Sequence, residues 1–122
     1  MEKSKTKNLS PLRYIMIARD LNQTKMAEYF LCTDAYIGAV ISEKKVMHPR
    51  TLKFGLKNMG IELDNYMELV ELKQILVESD YSQDLKHRCM LIKAIEVINP
   101  TLRETTSKLL ESCLNNQKQS KR

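Results

Sequence analysis

The chain has 122 residues, enough for one core and too few for two of ordinary size. Hydrophobic residues make up 43% and charged ones 29%, with three Gly, three Pro and no Trp; this excludes collagenous, mucin-like and wholly disordered classes, and the abundance of Leu, Ile, Met, Glu and Lys favours an all-α fold over an all-β one. The net charge of +5 sits almost entirely in residues 1–66, where eleven Lys and Arg stand against seven Asp and Glu, so a polyanion would meet that half first.

Residues 1–9 open with MEKSKTKN and read as a basic, flexible arm. Ser10-Pro11 then offers an N-cap and a first-turn proline for a helix in which Leu12, Ile15 and Met16 recur at helical spacing as far as Leu21. Asn22 caps a second helix that places Met26, Ala27, Phe30 and Leu31 on one stripe. Thr33 caps a third, running to about Ser42 with Ile37, Val40 and Ile41 inward. The polar Glu43-Lys44-Lys45 leads to His48-Pro49 and a fourth helix carrying Leu52, Leu56 and Met59, which Gly60 stops. A fifth is expected from Leu63 to Val77, carrying Met67, Val70, Ile75 and Leu76. Ser82 or Asp84 begins a sixth, ended by Asn99-Pro100, and Thr101 caps a seventh whose apolar residues are Leu102, Leu109, Leu110, Cys113 and Leu114. Residues 117–122 read as a flexible tail.

The residue types that carry enzyme chemistry are sparse. Cys32, Cys89 and Cys113 form no CxxC pair, and with only His48 and His87 beside them they make no metal-ligand set, so reduced thiols acting as small hydrophobes are expected. His48 precedes Pro49 as a cap, and His87, between Lys86 and Arg88, reads as part of an exposed turn. No nucleophile elbow, phosphate-cradling Gly-rich loop or His-Glu-x-x-His occurs. The expectation is a non-enzyme without cofactor or metal. No apolar run approaches the ~18 residues of a membrane span, so a cytoplasmic protein with no membrane partner is expected.

Short helices with tight turns suit a helix-turn-helix. The stretch LNQTKMAEYFLCTDAYIGAV, Leu21 to Val40, resembles the Xre and phage-repressor family, whose pattern runs Leu-Ser/Asn-Gln, then Leu-Ala, then Ser/Thr-x-x-x-Ile-x-x-Ile. Asn22-Gln23 stands at the head of helix two, Ala27 is the small residue at the crossing, Thr33 is the cap, and Ile37 and Val40 are the anchors of helix three. MGIELDNYMEL, Met59 to Leu69, is similar to the family's Leu-Gly-Val-x-Leu-x-x-Leu ending, so the resemblance covers about residues 10–70. Met16 and Ile41 replace a frequent Arg–Glu pair of the family, a joint exchange that a core tolerates. Glu43 and Met47 stand where Gly and Pro are usual.

The resemblance implies a lambda-repressor-like five-helix domain, residues 10–78, that binds double-stranded DNA and regulates transcription in a bacterium or a mobile element. It places Thr33, Asp34, Ala35, Gly38 and Ala39 toward the bases, none of them an Arg, Lys, Asn or Gln. Asp34 can accept from a cytosine amino group and Ala35 or Ala39 can touch a thymine methyl, while Gly38 would let a backbone approach closely. Gln23, Tyr36, Lys44, Lys45 and Arg50 are the expected phosphate contacts. Residues 79–116 add two helices whose apolar residues, Leu85, Met90 and Val97 among them, exceed what one small contact needs; Leu91, Ile92, Ile95, Ile98, Leu109 and Leu110 are the expected homodimer contacts. The rival expectation is an interaction protein on the same scaffold that binds a protein partner without reading bases.

Overall fold

The computed structural model describes residues 9–120, with side chains through Asn115. Every regular element among them is helical: α1 (Pro11–Ala18), α2 (Gln23–Phe30), α3 (Asp34–Ile41), α4 (Pro49–Asn58), α5 (Leu63–Val77), α6 (Gln83–Ile98) and α7 (Arg103–Ser120), with a 3₁₀ turn at Pro100–Leu102. The local chemistry of the starts is as the sequence predicts for four of them. Asn22, Thr33, His48 and Ser82 each accept a hydrogen bond from a backbone N–H in the first turn of their helix. Pro100 instead starts the 3₁₀ turn, within which Thr101 donates to the Asn99 side chain at 2.6 Å. It therefore does not cap α7.

The helix ends of the first half share one device. Asp20, Leu31, Glu43 and Gly60 all have left-handed backbone, with φ of 56°, 52°, 68° and 77°. After each, the next N–H reaches back to a carbonyl five residues earlier: Leu21 to Met16, Cys32 to Ala27, Lys44 to Ala39 and Ile61 to Leu56. This is why α1 ends at Ala18 rather than continuing to Leu21.

The core is continuous from the N-terminal helices into α6. Leu9, Ile15, Met26, Ile37, Leu69, Cys89 and Met90 are all fully buried, and burial of a side chain of this size stabilises by roughly 1.5–3 kcal/mol. Leu9 thus belongs to the core and not to a flexible arm; residues 1–8 of the expected arm lie outside the described residues. At the other end the backbone of α7 is helical through Ser120, where a tail was expected from residue 117, and residues 121–122 lie outside the described residues. In α5 the buried face is Tyr66, Leu69 and Leu76, while Met67 and Ile75 face out.

Helix α6 lies against α1, α5 and α7. His87 is half-buried on α6, not in an exposed turn, and its Nδ1 shares a hydrogen bond with the hydroxyl of buried Tyr14 from α1. Burial pushes the Tyr14 hydroxyl up to about 12, with Arg13 acting the other way, so it stays protonated at neutral pH. Further along α6, Glu96 is only 2% exposed. Its carboxylate meets Lys93 Nζ at 2.9 Å, Thr106 Oγ1 at 2.8 Å and Arg103 at 3.3 Å. Lys93 and Arg103 also reach Glu68 of α5, at 2.9 Å and 3.3 Å. One network therefore joins α5, α6 and α7.

Candidate nucleic-acid interface

The surface singled out by the sequence is built on α2, the turn Leu31–Thr33, and α3. Ala27 and Phe30 are buried from α2, and Ile37 and Ile41 from α3, which fixes how the two helices sit on the core. Phe30 lies against Gly55 of α4, where a Cβ would come within 1.9 Å of the ring. Glycine there is a packing requirement.

With Ile37 and Ile41 inward, Thr33, Asp34 and Ala35 are exposed, and Gly38, Ala39 and Val40 are half-buried. Thr33 spends its hydroxyl oxygen as an acceptor on the Tyr36 N–H at 3.0 Å. The Ala39 carbonyl is occupied by the backbone N–H groups of Lys44 and Lys45, at 2.8 Å and 3.1 Å. Gly38 does leave room above it, but that room is filled from within the chain: a Cβ there would stand 2.8 Å from Gln23 Nε2.

Gln23 uses that nitrogen to donate to the Asp34 carbonyl oxygen at 2.9 Å. Beside it, Thr24 Oγ1 donates to Asp34 Oδ2 at 2.8 Å. The first turn of α2 is thereby joined to the first turn of α3. Thr24 was not singled out from the sequence, since nothing in its spacing marks it.

Two cationic side chains, Lys45 and Arg50, border Tyr36. Lys45 Nζ lies 5.7 Å from the Tyr36 ring centroid, within cation–π range. Arg50 and Tyr36 together line a hollow of about 510 Å³, with Leu31, Cys32, Thr51 and Phe54. The structure thus sets Lys45 over Tyr36 and Arg50 beside Tyr36 along one hollow, and separately joins Gln23 to Asp34; Lys44 is exposed in the loop after α3. The turn itself is held by Glu43, which pairs with Lys73 of α5. Leu31, expected on the inward stripe of α2, is instead its left-handed C-cap and 74% exposed, because α2 ends at Phe30; with Phe54, 44% exposed, it adds an apolar element to this surface. Spacing of Arg50 and Phe54 by four residues on one helix was the available signal for Phe54.

Leu91, Ile92, Ile98 and Leu110 are half-buried, and Ile95 and Leu109 exposed. Leu85, Met90 and Val97, counted above as surplus apolar residues, are consumed by the core. Cys32, Cys89 and Cys113 are free thiols; burial, reinforced by Cys113, pushes Cys89 up to about 11, where it is unreactive. Among the described residues no His, Cys, Asp and Glu cluster could hold a metal ion, and no helix is long and apolar enough to cross a membrane. No protein-family model matches the chain, and neither does a curated protein or a solved structure.

Proposed function

We propose that the chain is a sequence-specific DNA-binding regulator of transcription, with α1–α5 forming a lambda-repressor-like helix-turn-helix domain and α3 entering the major groove. The observation that carries this reading is the seating of α3: Ile37 and Ile41 are in the core, Thr33, Asp34 and Ala35 are presented to solvent, and a cationic edge of Lys45 and Arg50 meets α3 at Tyr36. Lys44, Lys45 and Arg50 supply affinity through phosphates, and the few polar groups on α3 supply choice of sequence. In a homodimer formed through the exposed residues of α6 and α7, two such helices would sit about one DNA turn, ~34 Å, apart.

The test is a fluorescence-anisotropy titration against a random duplex pool and the chain's own upstream DNA, at low and near-physiological salt. Tight binding that weakens with salt is expected. Replacing Lys44 and Lys45 together by Ala should weaken it uniformly across sequences and lower the salt slope by about two. No binding at low salt would reject the reading.

A protein partner at the same corner is the second reading, and Leu31 favours it. This residue combines a left-handed backbone with a 74% exposed side chain, an arrangement that stability alone does not select. The partner would seat an apolar side chain in the hollow of Leu31, Tyr36 and Phe54 and an acidic group on Arg50.

A further inference from the structure

We propose that Cys89 and Cys113 are a redox pair, two thiols set opposite each other across α6 and α7, which a peroxide joins into a disulfide that staples α7 to the core; this stands independently of the DNA reading above.

The register of the two helices carries it. α6 and α7 are joined through the short 3₁₀ turn Pro100–Leu102 and lie against each other. Near that turn the Thr106 hydroxyl of α7 donates to the buried carboxylate of Glu96 of α6 at 2.8 Å, which sets those two positions opposite each other. The helices run in opposite directions, so each step back along α6 is matched by a step forward along α7. Four residues from the first pair, Ile92 comes level with Leu110, and both are half-buried. Three residues further, Cys89 comes level with Cys113. Seven residues are close to two full turns, ~10 Å along the axis, so each cysteine lies on the face of its helix that Glu96 or Thr106 defines.

Burial agrees with this register. Cys89 is fully buried, and among the α7 residues whose side chains are described only Thr106, Leu110, Cys113 and Leu114 are not exposed. Two packed helices have axes about 8–10 Å apart, which leaves the Cα atoms of directly facing residues about 5 Å apart, inside the span a disulfide bridges. Each sulfur then has one torsion, χ1, with which to meet its partner. The electrostatics point the same way: after burial, the cause that raises the proton affinity of Cys89 is the neighbouring Cys113.

The two thiols divide the reaction. Cys89 is closed to an external oxidant, and the half-buried Cys113 is the sulfur that a peroxide reaches. The Cys113 sulfur gives up its proton and attacks one peroxide oxygen; the O–O bond breaks, water leaves and a sulfenic acid remains. The Cys89 sulfur then attacks the Cys113 sulfur. The S–S bond forms as the S–O bond breaks, and the departing hydroxide takes the Cys89 proton as a second water. Two electrons pass from the sulfurs to the peroxide. The bond closes a loop of about 24 residues and so restricts the unfolded chain, and α7, which buries few side chains, gains the most.

The experiment treats the reduced full chain with one equivalent of hydrogen peroxide, alkylates the remaining thiols and maps linked peptides by mass spectrometry, with Tm measured before and after. A loss of about two mass units, a Cys89–Cys113 link within one chain and an alkylated Cys32 are expected, with Tm raised by roughly 5–15 °C and restored by dithiothreitol. Cys113→Ser should abolish the link and the rise in Tm and leave Cys89 reduced, whereas Cys32→Ser should change neither. A Cys113 sulfinic acid beside a free Cys89, or a link that runs through Cys32, overturns the pairing. So does a link that forms only in urea, one that leaves Tm unchanged or lower, or a chain that loses no mass.

Discussion

The helices α1–α4 and the helices α5–α7 are held by different kinds of joint. In the first set each helix ends in a left-handed residue and a backbone bond spanning five positions, and three of the four left-handed residues are Asp20, Leu31 and Glu43 rather than glycine. In the second set no described residue has a positive φ, and the ties include charged side chains between helices, with Lys93 and Glu68 25 residues apart and Arg103 and Glu68 35 apart. Short helices that must turn sharply rely on backbone geometry and tolerate its strain. Longer ones that lie side by side rely on side chains and tolerate buried charge.

The comparison breaks first at Glu96. Replacing it with Ala strips the carboxylate from Lys93, Arg103 and Thr106, leaving a largely buried ammonium with only Glu68 to face it. Breaking a buried pair from one side costs about 3–5 kcal/mol. Urea denaturation should show a loss of that order, and a loss below ~1 kcal/mol would mean that apolar contacts alone hold α7. The same network responds to pH. The hydrogen bond from Lys93 holds Glu68 below the usual carboxylate range, so its contribution is complete above the unfolded value, about 4.5, and is lost as pH falls through the lower folded value.

Gly55 is the corresponding point of failure in the first set. A methyl group there would lie 1.9 Å from the ring of Phe30, which is itself fully buried between α2 and α4. Overpacking of this kind costs about 1–3 kcal/mol, against a gain of up to ~1 kcal/mol in helix propensity. Thermal unfolding of Gly55→Ala should show a net loss. Gly38→Ala is the contrast, since the atom in its way is the end of the flexible Gln23 side chain.

These two joints also divide what the sequence could disclose. The starts at Asn22, Thr33, His48 and Ser82 were legible because a cap and its target lie within three residues, and Gly60 was legible because glycine advertises the conformation. Asp20, Leu31 and Glu43 take the same conformation with side chains that do not announce it. Thr101 misled because Pro100 can begin a 3₁₀ turn as well as a helix. Glu96 reads as one more charge on a helix until α5 and α7 are folded around it. At the candidate site, exposure of Thr33, Asp34 and Ala35 followed from the spacing of Ile37 and Ile41, whereas the grip of Gln23 and Thr24 on Asp34 depends on how two helices cross.

Leu31→Gly has the smallest expected effect and the opposite sign. A left-handed leucine costs roughly 1–2 kcal/mol, and its side chain is too exposed to return much of that through burial. Glycine removes the steric cost but frees the unfolded chain, an entropic loss of about 0.5–1 kcal/mol, so the balance lies between no change and a gain of ~1.5 kcal/mol. The variant should unfold at slightly higher urea with the same slope. Measured beside DNA affinity, this substitution separates the two readings of the corner. If Leu31→Gly is more stable and binds DNA as well as wild type does, the leucine is kept for something other than folding or phosphate contact, and the hollow beside Tyr36 and Phe54 is where a protein partner would touch it. If stability falls instead, Leu31 is packed usefully despite its exposure, and the strain at the end of α2 is offset by the turn itself.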